Sequence, residues 1–361
     1  MNKVTNNITD VLKIFEENGY EAYFVGGYPR DLYLGLDTID YDITTNATPK
    51  EIIKMFDIKC ESYGCCKFTY KKNRFEVTTF RKDIKYADNR KPVEIEYVND
   101  LKTDLERRDF TINTLCMDSD GNIIDLLNGK KDIDDKIIKV VGNTNKKLSE
   151  DALRILRAIR FATTLNFKLD SKLEEGIKKY GYLVKNLSYE RKKSELDKVF
   201  SSPNFEYGVS LIRELGLEQH LEINTYNLKQ TTYLVGIWAQ LRADNYVFNK
   251  SETDTIKKVR ELLKLDILNP KVIYKYGLYP VTIAAEIKDI DIDKVNEKYK
   301  SLKIKRKSEI DITPEVICDT LKIKPSSMLN MIISDLEEKI IDNNLENNKN
   351  VIIKYLKDIY I

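Results

Sequence analysis

Val25-Gly26-Gly27-Tyr28-Pro29-Arg30-Asp31, followed by Asp40-Tyr41-Asp42, is the stretch that decides the fold of the N-terminal part of this chain. Ala22 to Val25 predicts a strand, the glycine pair predicts a tight turn, and Pro29 stands where a helix begins. Glycines lack a Cβ atom, so backbone N–H groups can approach a phosphate, and a helix N-terminus favours anions. Arg30 can add a bidentate phosphate contact. The stretch therefore predicts a strand–turn–helix unit that binds phosphate through Gly26, Gly27 and Arg30.

The second half of this stretch offers two carboxylates for a metal ion. Ile39 to Thr44 predicts a strand, and side chains two positions apart in a strand point to the same face. Asp40 and Asp42 can therefore converge on one divalent cation, and hard oxygen ligands suit Mg²⁺. A lone Asp-x-Asp is more often a solvated turn, but the nearby phosphate turn favours a metal site. We predict Asp40 and Asp42 as catalytic metal ligands and Mg²⁺ as the cofactor.

Glu76 is a third acidic candidate, inside the β-rich run Arg74 to Phe80. It is either an exposed strand position or a third carboxylate of the metal site. The residues alone leave both alternatives open, and we carry Glu76 forward as a catalytic candidate.

Arg107-Arg108-Asp109, with Asn113 shortly after it, is a second charged segment. Two arginines before an aspartate can simply be a solvated helix end. In the functional interpretation, Arg108 holds a triphosphate oxygen. Asp109 and Asn113 lie four residues apart, so on a helical turn they can meet ribose hydroxyls together.

A third segment carries charged residues at a spacing of three. Asp151, Arg154, Arg157 and Arg160 fall on one ridge of a helix predicted over residues 150–164. Such a ridge is normally a solvated face. However, a carboxylate beside a guanidinium complements cytosine and adenine, which both present an amino donor next to a ring-nitrogen acceptor. Guanine and uracil present a carbonyl and an N–H there, and unpaired polar groups cost about 1–3 kcal/mol each. The pair therefore predicts selection of a base.

Composition and periodicity indicate several folded units. The chain has 361 residues, and its 60 basic and 58 acidic residues leave a net charge of only +2. Roughly the first 140 residues alternate helices and strands, whereas the pattern from Ser149 onward is helical, including a helix predicted over residues 227–243. We therefore predict an α+β unit followed by all-α regions.

Residue usage excludes several classes of protein. A single histidine, His220, excludes histidine-rich metal sites and makes histidine relays implausible. Five cysteines without framework spacing predict free thiols in a reducing compartment. No signal peptide and no apolar run of about 18 residues is visible, so we predict a cytoplasmic protein with no membrane association.

Taken together, these motifs resemble the class II CCA-adding enzymes (tRNA nucleotidyltransferases) and the related bacterial poly(A) polymerases. The shared motifs follow the family's order along the chain: Gly26-Gly27, Arg30-Asp31, Asp40–Asp42, Arg81-Lys82-Asp83, Arg107–Asn113, Asp120–Asp125, Glu150–Arg154, Arg160-Phe161-Ala162, Glu190-Arg191 and Glu195-Leu196. An ordered set of this length is far more specific than any one motif.

The resemblance implies a polymerase-β-like nucleotidyltransferase head followed by an all-α neck, an all-α body and an all-α tail. The implied ranges are a catalytic head at 1–140, a base-recognising neck at 141–201, a body at 202–300 and a tRNA-binding tail at 301–361. By analogy, Gly27, Arg30 and Arg108 contact the nucleotide, Asp151 and Arg154 read its base, and Arg157 and Arg160 complete the pocket. The implied activity is addition of C, C and A to the 3′ end of tRNA from CTP and ATP, without a template and with release of pyrophosphate.

Three alternatives remain. The first is a poly(A) polymerase, the second a tRNA nucleotidyltransferase that adds only CC or only A, and the third an RNA-binding protein with an inactive head. Enzymes restricted to CC addition resemble this architecture but lack much of the loop at 81–100. Tyr86, Asp88, Arg90 and Pro92 are present in that loop here, which favours complete CCA addition.

Overall fold

The computed structural model describes residues 6–58, 65–87 and 91–361. The chain divides into two compact units, Met1–Ile223 and Asn224–Ile361. The first is called unit 1 and the second unit 2.

A six-stranded mixed sheet organises the first part of unit 1. Its strands are β1 (Ala22–Val25), β2 (Tyr41–Thr45), β3 (Cys65–Tyr70), β4 (Asn73–Thr79), β7 (Cys116–Met117) and β8 (Ile123–Ile124). They lie in the order β3-β4-β2-β1-β7-β8, in which β2 and β4 are parallel and the other neighbouring pairs are antiparallel. Strands β5 (Arg81–Ala87) and β6 (Lys91–Tyr97) form a separate hairpin, and β9 (Ile137–Ile138) pairs with β10 (Lys168–Leu169). The predicted α+β character is confirmed.

Strand β2 begins two residues later than predicted, because its pairing with β4 begins at Tyr41 opposite Phe75. The rings of these two residues pack together in the core, with centroids 5.5 Å apart. Asp40 therefore precedes the strand and is exposed, whereas Asp42 lies inside it, directly opposite Glu76 on β4.

Ten further helices and two short 3-10 segments complete unit 1 among the described residues, together with α1 (Asn6–Glu17). The helices are α2 (Gly27–Tyr33), α3 (Pro49–Phe56), α4 (Leu101–Glu106), α5 (Gly129–Asp134), α6 (Thr144–Glu150), α7 (Leu153–Leu165), α8 (Ser171–Tyr180), α9 (Tyr189–Phe200), α10 (Phe205–Glu214) and α11 (Glu218–Leu221); the 3-10 segments are Thr111–Asn113 and Gly181–Asn186.

The helix predicted over 150–164 is wrong at its start. Asp151 has an extended backbone, with φ −145° and ψ 101°, between α6 and α7. Its side-chain Oδ1 accepts the backbone N–H of Leu153 at 3.0 Å, which helps the chain leave one helix and enter the next. Asp151 therefore does not lie on the helical ridge that carries Arg154, Arg157 and Arg160.

Unit 2 is helical throughout. Its helices are α12 (Leu234–Gln240), α13 (Lys250–Leu262), α14 (Pro270–Tyr276), α15 (Leu278–Ile287), α16 (Ile292–Ser301), α17 (Pro314–Leu321), α18 (Ser327–Ile341) and α19 (Lys349–Tyr360), with a 3-10 turn at Lys307–Glu309. Aliphatic side chains form one core around Leu262 and Val281 and another around Leu336 and Ile352. The helix predicted over 227–243 is much shorter, because the side chain of Gln240 pairs with the backbone of Lys229 and folds the preceding segment back along α12.

The cysteines differ in part from expectation. Cys65, Cys116 and Cys318 are free thiols. Cys66, which is buried on β3, is disulfide-bonded, so the expectation of free thiols throughout is wrong for this residue.

Candidate active site

The glycine turn between β1 and α2 faces two of the predicted site residues. Gly26 has φ 82°, a conformation that glycine adopts without a steric penalty. A Cβ atom at this position would lie 3.8 Å from Nη1 of Arg108 and 4.0 Å from Oδ2 of Asp42. Three sequence segments, 26–27, 42 and 108, therefore meet at one point, although they are far apart along the chain.

A cavity of about 200 Å³ opens beside this meeting point. It is lined by Val25, Asp42, Ile43, Cys65, Glu76, Thr78, Arg81, Arg107 and Arg108. Carboxylates come from β2 and β4, whereas guanidinium groups come from the segment directly after α4 and from the start of β5. Such a cavity can hold a cation and a polyphosphate side by side.

Negative charge is concentrated at Asp42. The pKa of its carboxyl is raised from 3.8 to about 6, first by burial and then by the charges of Asp40 and Glu76, against the opposing charges of Arg108 and Arg157. A bound divalent cation would relieve this repulsion. Among the described residues, no group of three or more His, Cys, Asp or Glu side chains is arranged to hold a metal. The fit is therefore to a cation that takes one or two carboxylates and completes its shell with water and substrate phosphates, as Mg²⁺ does.

Glu76 lies next to the metal-site candidates, but its side chain has other partners. Oε2 lies 3.4 Å from Nζ of Lys67, and Oε1 accepts the thiol of Cys65 at 3.1 Å. The side chain is 46% exposed. This arrangement favours the exposed-strand interpretation over that of a third metal ligand, while leaving Glu76 close enough to influence Asp42.

Asp104 on α4 is a central residue of the site that sequence reasoning missed. Its fully buried carboxylate accepts from Nε of Arg107 at 2.8 Å, from Nη2 of Arg108 at 3.3 Å and from the hydroxyl of Thr44 at 3.0 Å. Burial opposes its ionisation, but the charges of both arginines outweigh burial and lower the pKa of Asp104. The sequence could have indicated these pairs, because Arg107 and Arg108 follow Asp104 by three and four residues, the spacing at which side chains meet at the end of a helix.

Arg108 is held so that part of its guanidinium remains available. Nη2 pairs with Asp104, whereas the buried Nε has no hydrogen-bond partner within the described part of the chain. An unpaired buried donor is costly, and a phosphate oxygen would satisfy it.

Asp109 and Asn113 are turned toward protein groups rather than the cavity. Nδ2 of Asn113 donates to Oδ1 of Asp109 at 3.1 Å, and Nε of Arg157 donates to Oδ2 of Asp109 at 2.6 Å. Burial opposes ionisation of Asp109, but the charge of Arg157 and these hydrogen bonds lower its pKa to about 2. Contact of Asp109 and Asn113 with ribose stays a prediction. The observed contacts of these two residues connect the Arg107–Asn113 segment to α7.

Arg30 continues this network inward. Nη1 donates to Oδ1 of Asn113 at 2.6 Å, Nη2 lies 2.7 Å from Oδ1 of Asp31, and only 8% of the residue is exposed. Its predicted phosphate contact is untested, and its observed partners make it a support for the turn at Gly26.

Three guanidinium groups lie over the aromatic ring of Phe161. Those of Arg30, Arg157 and Arg160 lie 5.2, 5.3 and 4.1 Å from its centroid. Nε of Arg160 also lies 2.8 Å from Oε2 of Glu195 on α9. Cation–π contacts and this ion pair therefore fix α7 between the phosphate turn and the next helix.

Asp151 and Arg154, the predicted base-reading pair, both have protein partners already. Asp151 uses one carboxylate oxygen for Leu153, and burial raises its pKa despite the charges of Arg154 and Arg157. Nη1 of Arg154 donates to the carbonyl of Lys147 at 2.9 Å, and Nη2 to that of Arg107 at 3.4 Å. The charge of Arg157 acts on both Asp42 and Asp151, so the metal-site candidates and the base-reading candidates belong to one electrostatic environment.

Asp88 and Arg90 of the loop lie outside the described residues. Within the part of the chain that the structure describes, no helix is long and apolar enough to cross a bilayer.

Comparison with protein-family models finds three matches along the chain. Residues 22–139 match the "Poly A polymerase head domain", residues 166–225 the "RNA and SrmB- binding site of polymerase A" and residues 244–356 "tRNA nucleotidyltransferase domain 2".

Curated relatives are similar over nearly the whole chain. A CCA-adding enzyme of Lactococcus lactis subsp. cremoris is 34% identical, with 96% of this chain and 94% of the relative covered. One from Limosilactobacillus reuteri is 31% identical, with 97% and 95% covered.

Solved structures share the fold. The CCA-adding enzyme of Bacillus stearothermophilus in complex with CTP superposes with a TM-score of 0.85 at 24% identity, covering 99% of this chain and 98% of that one. The Thermotoga maritima CCA-adding enzyme complexed with tRNA superposes with a TM-score of 0.73 at 19% identity, covering 99% and 96%.

Proposed function

The chain belongs to the CCA-adding enzyme family of nucleotidyltransferases, and from this membership we propose that it adds C, C and A to the 3′ end of tRNA. CTP and ATP are the nucleotide substrates, and no nucleic-acid template is required. The observation that carries the proposal is the cavity at which the Gly26 turn, Asp42 and Arg108 converge. This combination of phosphate turn, carboxylate and guanidinium is what a nucleoside triphosphate and its cation require.

In the proposed reaction, the 3′-hydroxyl oxygen of tRNA forms a bond to the α-phosphorus of the nucleotide. The bond between the α-phosphorus and the oxygen that bridges the α- and β-phosphates breaks. Pyrophosphate leaves, and the hydroxyl proton passes to solvent. Family members use a divalent metal, and we assign Mg²⁺ to Asp40 and Asp42; when bound, it polarises the phosphate and stabilises developing negative charge. Arg108 binds the triphosphate through the donors that Asp104 does not use. The N–H group of Gly27 orients it, whereas that of Gly26 donates to the carbonyl of Leu115 at 3.3 Å.

Selection of the base is assigned to Asp151 and Arg154. The second oxygen of Asp151 accepts the exocyclic amino group that cytosine and adenine share. Arg154 donates to the adjacent ring nitrogen. Arg157 and Arg160 hold the helix in register through Asp109, Phe161 and Glu195.

Transfer RNA and the two nucleotides are the proposed partners, and the cytoplasm is the proposed location. The tail segment 301–361 is proposed to contact tRNA. Of its basic residues, Arg306 pairs with Glu309 at 2.9 Å and Lys307 lies 3.7 Å from Glu337, whereas Lys303 is exposed. Lys303 is therefore the better candidate for a backbone phosphate.

A product-sizing assay tests the proposal. A tRNA lacking its terminal CCA is incubated with Mg²⁺ and with CTP, ATP or both, and the products are sized to single-nucleotide resolution. We expect two added nucleotides with CTP alone and three with both nucleotides. Absence of any extension contradicts the proposal.

The rival functions give different products in this assay. The family models named for poly(A) polymerase favour the first rival, which yields long adenosine tails from ATP alone. An enzyme restricted to CC addition stops at two nucleotides with both substrates, and one restricted to A extends only tRNA that already ends in CC.

A further inference from the structure

Three consecutive backbone carbonyls beside the cavity are held by two cationic side chains of the following helices. Nζ of Lys147, on α6, donates to the carbonyl of Glu106 at 2.8 Å and to that of Arg108 at 3.2 Å. Arg154, on α7, donates to the carbonyl between them, that of Arg107, at 3.4 Å. The same guanidinium donates to the carbonyl of Lys147 at 2.9 Å. These bonds form one closed network, which we call the carbonyl clamp.

The clamp lies at the C-terminal end of α4, which finishes at Glu106. Carbonyls at such an end have no partner within the helix and attract positive charge. The backbone of Arg108 is fixed there, while its side chain reaches Asp104 and faces the glycine turn. A shift of this backbone would therefore move the guanidinium that faces the cavity.

Lys147 is half-buried, and the contacts of its ammonium group described above are hydrogen bonds to backbone carbonyls. The pKa of its ammonium is lowered to about 8, first by burial and then by the charge of Arg154, against the opposing charges of Glu150, Asp83 and Asp109. Neighbouring Lys146 is 74% exposed and lies 3.8 Å from Glu150. The two lysines therefore have different environments although they are adjacent.

We propose that Lys147 is a positioning residue that ties the triphosphate-binding Arg108 to the base-reading pair Asp151–Arg154. The proposal rests on the function proposed above. Lys147 shares the Glu106–Arg108 carbonyls with Arg154 and also supplies the carbonyl that Arg154 binds, so Arg154 and the Arg108 backbone cannot shift independently. A nucleotide held by its phosphates is thereby presented to the base-reading groups at a fixed distance.

Base selectivity is the property that this role controls. Without the ammonium group, the carbonyls of Glu106 and Arg108 lose a charged donor, and the position of Arg154 relative to Arg108 is less defined. Correct and incorrect bases then differ less in their fit. A variant that is merely less folded would lower the rates with all four nucleotides by the same factor and leave their ratios unchanged.

The test compares Lys147→Met, Lys147→Arg and the control Lys146→Met in the full-length chain. For each variant, kcat/KM is measured with CTP, ATP, UTP and GTP on tRNA ending before the CCA and on tRNA ending in CC, and the thermal midpoint is recorded. We expect Lys147→Met to lose at least about tenfold of its preference for CTP over UTP, in line with the loss of a charged hydrogen bond. Lys147→Arg restores most of the preference, and Lys146→Met keeps it.

Each outcome has one meaning. If the wild-type chain incorporates no nucleotide, the proposed function fails before Lys147 is examined. If the wild type is active and Lys147→Met lowers all four values by one factor, or leaves them unchanged, the positioning role is wrong. Loss of selectivity in Lys146→Met as well would also overturn it, because that lysine lies outside the clamp.

Discussion

At the scale of single residues, the site combines a carboxyl group whose ionisation is opposed by its surroundings with a guanidinium group that is only partly satisfied. The carboxyl of Asp42 is partly buried beside two other acidic side chains, and its pKa is raised to about 6. Arg108 retains a buried Nε–H without a partner in the described part of the chain. Both features are unfavourable by themselves, and a cation and a phosphate would relieve them. We therefore expect the site to be organised for its ligands rather than for stability.

Replacing Asp42 by Asn should separate activity from stability. We expect nucleotide incorporation to fall by about a thousandfold, because the cation loses a carboxylate. In the metal-free protein at pH 7, the free energy of unfolding should rise by about 1 kcal/mol, because a carboxylate that is partly buried and repelled by its neighbours is removed. The pKa of Asp42 in the folded protein lies above 3.8, so ionisation of this group lowers the free energy of unfolding of the wild type as pH rises from about 4 to 6. The variant lacks this group and does not show that decrease.

Urea unfolding in the presence of a chelator, at pH 4 and at pH 7, measures this difference. Asp37→Asn is the matched control, because Asp37 is exposed in the loop that leads to β2. An active Asp42→Asn variant, or one less stable than the control, would contradict the interpretation.

At the scale of elements, buried ionic contacts connect the Arg107–Asn113 segment to α2 and α7. Asn113 joins Arg30 to Asp109, and Asp109 joins Asn113 to Arg157. One run of partners therefore reaches from the phosphate turn to the base-recognition helix. The relative position of these elements depends on polar contacts as well as on the apolar core.

Breaking the Asp109–Arg157 pair tests this connection. We expect Asp109→Asn to lower the free energy of unfolding at pH 7 by about 3 kcal/mol, because Arg157 would lose its buried carboxylate partner. The pKa of Asp109 is lowered to about 2, so its contribution is complete above pH 4 and is lost as pH falls toward 2. The stability difference between wild type and variant should therefore shrink between pH 4 and pH 2. A difference that stays constant over this range would show that the charge of Asp109 is not responsible.

Close packing of α7, α9 and α10 depends on Gly208. A Cβ atom there would lie 2.6 Å from both Oγ1 of Thr163 and Cγ1 of Val199. Gly208→Ala should therefore lower the free energy of unfolding by about 1–3 kcal/mol, although alanine usually stabilises a helix relative to glycine. Thermal unfolding against Glu206→Ala, an exposed position of the same helix, is the measurement. A more stable Gly208→Ala variant would mean that the neighbours can move aside.

At the scale of the whole molecule, all the proposed catalytic and nucleotide-binding residues lie in unit 1. Unit 2 is a separate helical body with its own two cores and carries the proposed tRNA-binding tail. Nucleotide binding and the full recognition of tRNA are therefore expected to depend on different parts of the chain.

A fragment comprising residues 1–223 should fold and bind CTP without unit 2. CTP and Mg²⁺ should stabilise it by about 2.7 kcal/mol at a hundredfold excess over the dissociation constant. Its extension of tRNA should be much slower than that of the full chain. Thermal unfolding with and without CTP, and extension of tRNA ending in CC, measure the two effects, with fragment Asp42→Asn as the control. A fragment that extends tRNA as fast as the full chain would show that unit 2 is dispensable for tRNA.

The sequence by itself determined the order of the elements and the candidates for the chemistry. Turn glycines, alternating apolar residues and helix caps are local signals, so β1, α2 and the predominantly helical remainder could be predicted from them. Candidates such as Asp42 and Arg108 stand in short motifs that resemble a known family, and they could be named for the same reason.

Only the tertiary structure decided which distant groups satisfy each buried charge. It turned Arg30 toward Asn113, placed the hydroxyl of Thr44 against Asp104, and joined Lys147 to the carbonyls at the end of α4. It also began β2 at Tyr41 and left Asp151 outside the helix. A residue's preference for helix, strand or turn depends mainly on its near neighbours, whereas the partner of a buried charge depends on segments that pack against it from far along the chain.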